Sequence, residues 1–477
     1  MNKVKEFIAS LKLRRSDLML FLGFIPFAVF LIFGQLFMQY HDPNELALKI
    51  WMFIPLFVVI VACWGYYLYL EFKAENNPPQ LVTWIFAILT VLCILGIAVQ
   101  PSQVIEQVVV RMINGANTEL FPEIQNVGDI ITVTINISVI HKVFFILNIT
   151  SIMVFIYIGL FIFPKRFTGL SFLKYLGYAV FALMGALILY SYIFEHGQYI
   201  PFIKTFLGMG DGEHDLYYYT VQSFIIHRNA FGMCMMIGII FAMINHSIDK
   251  KWWYYLIIAY LYISMIFSWC KTGLLISAIL IVAYVVFRLI ITMEEHKKRN
   301  IRIFIVLGAI ALLGILALGV AYLSKGKYLG FLYNLIDSFL GTSTLDFRSY
   351  IWDNSYQLLR NGWWIIGRGF GTYSMMILKM NSVNGDIVFP AHSAYVGLLS
   401  EGGIFYLLGY FALVSYTIYC AIKAFKYNPN LTFAMCLGAL SFFLYSTTEE
   451  IQYLVYLFMF PIIILYHLSK NSRVVNS

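Results

Sequence analysis

Lys271-Thr-Gly-Leu-Leu-Ile-Ser-Ala-Ile-Leu-Ile-Val-Ala-Tyr-Val-Val-Phe-Arg288 carries a cation at each end and no charged side chain between them. Apolar residues recur on every face of the helix this stretch would form, the pattern of a helix surrounded by lipid or by other helices. A helix rising 1.5 Å per residue needs about 20 residues to cross a hydrocarbon layer about 30 Å thick. The stretch, extended to 272–292, meets that length. Similar runs occupy 16–37, 48–71, 81–99, 142–163, 172–194, 229–245, 252–269, 301–322, 402–422, 431–447 and 452–468, which makes about twelve spans. Residues 128–141 either lengthen the fourth span or lie in the interface.

Composition agrees. Hydrophobic residues make up 61% of the 477, charged residues 12%, and mean hydropathy is +0.79. Soluble chains are about 25% charged, so a soluble class is excluded. The fold class is all-α: one polytopic integral membrane domain over 1–477. The short alternating segments of a β-barrel are not read. The 42 Phe and 34 Tyr suit lipid-facing and interfacial surfaces. Cys63, Cys93, Cys234, Cys270, Cys420 and Cys436 are scattered with no CxxC pair, so neither disulfides nor zinc is expected. No other metal and no cofactor is expected either. The net charge of +8 does not argue for nucleic acid, because its placement follows the membrane.

The first fifteen residues hold Lys3, Lys5, Lys12, Arg14 and Arg15, and no small-residue cleavage site follows the next apolar run. That pattern is a first membrane helix. A cytoplasmic N-terminus places Lys73, Lys165, Arg166, Lys250, Lys251, Lys297, Lys298, Arg299, Lys423 and Lys470 at short inner loops and helix ends. Both termini are therefore expected in the cytoplasm. Three long segments fall outside: 100–141, with Glu106, Arg111, Glu119 and Glu123; 195–228; and 323–401. Connections this long usually have their own structure or a function. Within the last, short amphipathic helices are expected, one over 347–360 with Trp352, Tyr356 and Leu359 on one face. The mid-membrane parts of the spans lack the buried Asp, Glu or Arg common in carriers and channels, and no inverted repeat is read.

The outer ionisable groups near helix ends are His227, Arg228, Lys271, Arg348, Arg368, His392, Glu401, Glu449 and Glu450. Cations gathered at one membrane face suit a phosphate, whose oxygens match the guanidinium fork. Arg348 is either a diphosphate ligand or a contact to phospholipid headgroups. Arg368, between Gly367 and Gly369, either meets a ligand or forms a turn. His392 either takes a proton from a hydroxyl or is structural. Glu401 either orients a base or caps a helix. Arg228, Lys271 and Arg368 are candidate diphosphate ligands beside Arg348. His227, Glu449 and Glu450 are secondary candidates, the last two balancing the arginines.

Three pieces recur in order: Asp346-Phe-Arg348-Ser-Tyr350-Ile-Trp352; Ile366-Gly367-Arg-Gly369-Phe-Gly371; and Ala391-His392-Ser393-Ala-Tyr395 followed by Glu401-Gly402-Gly403. Together they resemble the O-antigen polymerase and O-antigen ligase-like (Wzy/WaaL) membrane proteins. Weaker matches are His227-Arg-Asn229-Ala-Phe-Gly232 and Ser268-Trp-Cys-Lys271-Thr-Gly273. Relatives have Ala-His-Asn at the histidine and Ser-x-Ser-Arg at the latter piece, so Ser393 replaces an asparagine, Cys270 a serine and Lys271 an arginine.

The resemblance implies a GT-C-like fold in the bacterial cytoplasmic (inner) membrane and an inverting, metal-independent glycosyl transfer on its outer face. The donor would be an undecaprenyl-diphosphate-linked oligosaccharide and the acceptor a second lipid-linked repeat. Candidate partners are membrane lipids, a flippase and a chain-length regulator. Arg348, His392 and Glu401 would be catalytic. The rivals are a ligase with another acceptor, a lipid-linked oligosaccharide transporter, and a non-catalytic scaffold.

Overall fold

The computed structural model describes residues 15–29, 53–73, 80–110, 121–162, 170–207, 216–223, 228–293, 343–384, 393–447 and 461–469, with isolated positions at 297–320 and 459. The described chain is mostly helical. By length and composition, six of the described helices can cross a membrane: Ile54–Lys73, Val139–Ile162, Leu173–Phe194, Arg228–Asp249, Lys271–Ile291 and Ala394–Phe425. Three shorter apolar helices cover Thr83–Ala98, Trp253–Ser268 and Pro429–Tyr445. The expected spans 301–322 and 452–468 are described only in part, the second as a helix over 461–469.

The chain divides into two compact units. The first joins Met1–Thr168, Phe347–Cys420 and Ser446–Ser477. It contains α1 (Arg15–Val29), α2 (Ile54–Lys73), α3 (Gln80–Ala98), β1 (Gln103–Val109), β2 (Ile130–Asn136) and α4 (Val139–Tyr157). The Trp64 indole of α2 donates to the Leu20 carbonyl of α1 at 3.1 Å and stacks on Phe155 of α4. The Thr83 and Tyr157 hydroxyls meet at 2.8 Å between α3 and α4. Burying each polar group with a partner removes the penalty of leaving it dry.

The strands depart from the all-α expectation. β1 and β2 pair antiparallel, with Gln103 opposite Asn136 and Val109 opposite Ile130. Ile131-Thr-Val-Thr-Ile135 alternates β-branched apolar and polar residues, so one face of the ribbon is greasy. Residues 130–136 therefore neither lengthen the fourth span nor form a helix there; α4 starts at Val139. A two-stranded ribbon alone is marginal. This one is covered by two helices of the 323–401 segment, α10 (Ser343–Leu358) and α12 (Thr372–Asn381), between which lies the short α11 (Trp363–Ile366). Val104, Val108, Ile131, Val133 and Ile135 share one core with Leu358, Tyr373, Met376, Ile377 and Met380.

α10 docks through Ile351, Asn354, Ser355 and Leu358, spaced three and four apart. Asn354 donates to Asn381 at 3.0 Å, and the Ser355 and Tyr373 hydroxyls meet at 2.8 Å. The expected face is thereby corrected. Leu359 is buried and Trp352 partly so, but Tyr356 is 50% exposed. The inward face follows the polar pairs as well as the aromatic stripe.

The second unit joins Gly169–Asp346 and Ala421–Tyr445. Among its helices are α5 (Leu170–Phe194), α6 (His196–Phe206), α7 (Arg228–Asp249), α8 (Trp253–Ser268) and α9 (Lys271–Ile291). α13 (Ala394–Phe425) carries the chain from the first unit into the second, where α14 (Pro429–Tyr445) follows. Among the six described helices long enough to span, α7 is the most enclosed, with 78% of its apolar window buried. Gly232 and Gly238 admit its neighbours: Gly232 faces Cys270 and Ser268, and Gly238 faces Leu261 and Met184. At its far end Lys174 pairs with Asp249 at 2.9 Å, and His246 meets the Tyr284 hydroxyl at 2.7 Å.

The ribbon's register makes a test. Val133→Asn, on the inner face, is expected to destabilise the detergent-purified protein by about 2–3 kcal/mol through cavity and unpaired amide. Thr132→Asn, one residue away on the exposed face, is expected to stay within about 0.5 kcal/mol. Equal shifts in the two thermal melts would contradict the register.

Candidate functional site

In the first unit, the site is built on a break in α13. Gly403 lies at φ 71°, ψ −173°, a backbone region almost reserved for glycine. In an unbroken helix the carbonyls of Ser400 and Glu401 would accept from the residues four ahead. Here the Arg368 N–H donates to the Ser400 carbonyl at 2.6 Å, and the Gly369 N–H to the Glu401 carbonyl at 2.8 Å. The Gly367-Arg-Gly369 loop thus supplies the donors that the broken helix lost. Gly367 sits at φ 74°, ψ 174°, and a Cβ there would collide with the Glu401 carbonyl. Gly369 lies on α3, where a Cβ would come 2.7 Å from the Ile97 nitrogen. Gly371 rests on the Phe145 ring of α4.

Arg368 is 7% exposed. Its Nε donates to the Leu358 carbonyl at 2.7 Å, its Nη2 pairs with Glu106 Oε1 at 3.3 Å, and its guanidinium carbon lies 4.3 Å from the Trp363 ring centroid. Burial holds the guanidinium below its ordinary pKa, and the Glu106 carboxylate opposes that shift. Glu106 is in turn reached by the Gln357 amide of α10, which also donates to the Gln107 carbonyl at 2.6 Å. Two guanidinium nitrogens of Arg368 are therefore engaged by protein oxygens. The geometry gives it the task of joining β1, the end of α10 and the α13 break.

Glu401 is not at a loop mouth. Residues 394–401 are helical, and Glu401 is 6% exposed, with its carboxylate in electrostatic reach of Cys93 on α3. The expected loop end at 401 is thus moved back to Ser393. Arg348 lies in the first turns of α10, and its side chain is outside the described residues. His392, His227, Glu449 and Glu450 also lie outside them.

In the second unit, two weakly matching pieces come together. α7 starts at Arg228 and α9 at Lys271. Cys270, just before α9, has its sulfur 3.1 Å from the Tyr445 hydroxyl and 3.9 Å from the Asn229 carbonyl. The Tyr445 hydroxyl also donates to that carbonyl at 3.3 Å. Trp269 makes the tight turn in a left-handed conformation, φ 49°, ψ 34°, with its ring against Phe202 and Phe206 of α6. Half-buried Arg228 and Lys271 consequently occupy the starts of two adjoining helices.

No family model, curated protein or solved structure matches this chain.

Sequence reasoning named Glu106 without giving it a task, and it missed Gln100 and His141. His141 at the start of α4 closes a reciprocal cap with Ser138, a Ser-x-x-His spacing that the sequence does display. Gln100 follows the end of α3 and carries no such signal.

Arg368→Ala and Glu106→Ala are each expected to cost about 1–3 kcal/mol of stability, since each leaves the other charge without its ion partner. The double substitution is expected to cost clearly less than their sum. Strict additivity in denaturant melts of the purified protein would show that the two side chains act independently.

Proposed function

We propose that this protein is a polymerase of polysaccharide repeat units, transferring an undecaprenyl-diphosphate-linked glycan to a hydroxyl of a second lipid-linked repeat at the outer face of the cytoplasmic membrane. The observation that carries the reading is the placement of Arg228 and Lys271 at two adjoining helix starts, clamped by Asn229, Cys270 and Tyr445. Helix N-termini carry partial positive charge and attract anions. A diphosphate suits two helix ends that each carry a cation, while its polyprenyl tail lies along the apolar helices. The resemblance of the 345–412 stretch to O-antigen polymerases and ligases supplies the class of reaction.

In this mechanism the acceptor hydroxyl attacks the anomeric carbon, and the bond from that carbon to the diphosphate oxygen breaks. Configuration inverts. Arg228 and Lys271 stabilise the charge growing on the leaving diphosphate, the kind of contact worth about 10²-fold or more in rate. For the first unit, the resemblance implies diphosphate binding by Arg348 and positioning or deprotonation of the acceptor by His392. Arg368 and Glu106 hold the loop between them. Glu401, buried in α13, acts through that scaffold. The ligase alternative uses the same donor and differs in its acceptor.

The test is the glycan of the host strain. Deletion is expected to leave single repeats on the carrier; long chains left on the carrier instead would identify a ligase. At equal membrane level, Arg228→Ala and Lys271→Ala are expected to lower polymer yield about 10²-fold, and Lys271→Arg is expected to retain it. Unchanged polymer ladders in both alanine variants would overturn the reading.

A further inference from the structure

In the second unit, α6 follows directly on α5 and carries two apolar stripes. Tyr199, Phe202 and Phe206 are spaced three and four apart and turn onto α8 and its turn. Ile200, Ile203 and the helix-capping Leu207 repeat that spacing one residue later, about 100° round the helix. They are 65%, 43% and 46% exposed. Lys204, also exposed, lies next to this second stripe on the side away from the first. An apolar row rimmed by a cation marks a surface that something covers.

The contacts of α6 fix its direction. The Tyr199 hydroxyl meets the Ser191 hydroxyl of α5 at 2.9 Å, and Glu195, between the two helices, accepts from the Gln222 and Ser223 N–H groups at 3.3 and 2.9 Å. The Tyr199 and Phe202 ring centroids lie 4.8 and 5.4 Å from that of Phe267, and the Phe206 centroid lies 5.6 Å from that of Trp269. The chain thus climbs about 10 Å along α6 while its contact moves only from Phe267 to Trp269. α6 therefore lies across the end of α8, at the level where α5 and α8 both stop.

The occupant of the second stripe follows from what it continues. α5 is long and apolar enough to cross a membrane, and only 28% of its apolar window is buried. Leu183, Leu189, Ile193 and Phe194 are exposed along it, a surface that lipid covers in a spanning helix. That surface runs to the last residue of α5, and α6 begins two residues later. Tyr190 and Tyr192, 36% and 68% exposed, stand at the same end, and tyrosines collect at the headgroup level. α6 contains one lysine and no carboxylate, which suits phosphate headgroups, and a lysine stem lies along apolar surface while its ammonium reaches water.

We propose that α6 is an interfacial helix, with Ile200, Ile203 and Leu207 sunk among the acyl chains and Lys204 among the headgroups. The inference concerns the lipid surface and does not depend on the reaction proposed above. Phe202 and Phe206, which hold the Trp269 ring, ride on this helix. Lipid contact on its outer stripe therefore steadies the turn that ends two residues before Lys271.

The test uses the full-length protein in liposomes of phosphatidylethanolamine and phosphatidylglycerol. The photoreactive p-benzoyl-phenylalanine replaces one residue at a time: Ile200, Ile203 or Leu207, Thr205 on the polar side of α6, and Leu189 on α5. After irradiation, lipid adducts are read by mass spectrometry and protein–protein adducts on a gel. The three stripe positions are expected to give lipid adducts in a yield close to that of Leu189 and several times that of Thr205. Three separate exposed positions keep the result from resting on one that misfolds. Lipid adducts at Leu189 without them on the stripe would overturn the proposal, as would equal yields at Thr205 and the stripe. Cross-linked dimers in place of lipid adducts would overturn it too, by showing the stripe to be an interface between copies. Absence of lipid adducts at Leu189 as well would remove the surface that α6 is argued to continue.

Discussion

A helix that breaks inside an apolar environment must hand its freed carbonyls to some donor. α13 breaks at Gly403, and the backbone of Arg368 and Gly369 takes the carbonyls of Ser400 and Glu401. Much of the first unit's architecture is arranged around that exchange. The loop must approach α13 at backbone distance, which fixes glycine at 367. Its far side must then lie flat on α3 and α4, where Gly369 and Gly371 make contact. Arg368, held between these contacts, turns inward and brings Glu106 and the whole β-ribbon with it.

The second unit solves a related problem with side chains. The turn between α8 and α9 is tight enough to put Trp269 in a left-handed conformation, a cost of order 1–3 kcal/mol for a residue other than glycine. Aromatic packing against α6 offsets it. The result is a fixed start for α9 beside the start of α7. The backbone of one motif and the sulfur of the other share the Tyr445 hydroxyl. In both units the polar pieces of sequence are thus tied by main-chain groups, and the cations are carried on what those ties hold still.

Much of the helical framework was legible, because apolar length is a local property. Each long described helix falls on an expected span, although α13 begins eight residues early, at Ala394 against 402. The ribbon was missed: Ile131, Val133 and Ile135 alternate as a strand does, but a window of membrane-span length averages over so short a piece, and 128–141 read as span or interface. The role of Arg368 was not legible. Glycines on both sides suggest an approach to a ligand, and nothing nearby in sequence suggests a partner. Its carboxylate lies 262 positions earlier, and only the folded unit brings the two together. Glu401 was misplaced for a similar reason: two glycines after a carboxylate read as a helix start, whereas the helix passes through the first and bends at the second.

The ion pair between ribbon and loop has a bearing on assembly. Side chains on a strand alternate in direction, so sliding β1 by one residue would turn Glu106 outward and bring Ile105 or Gln107 inward. Arg368 would then face the interior with its charge unanswered, at a cost of about 1–3 kcal/mol. The same slip would turn buried Val104 and Val108 outward, so the ion pair adds to a register that the apolar alternation already favours. A single carboxylate in the middle of β1 makes the wrong alignments expensive, so it acts as a proofreader of strand pairing as the ribbon closes over α12.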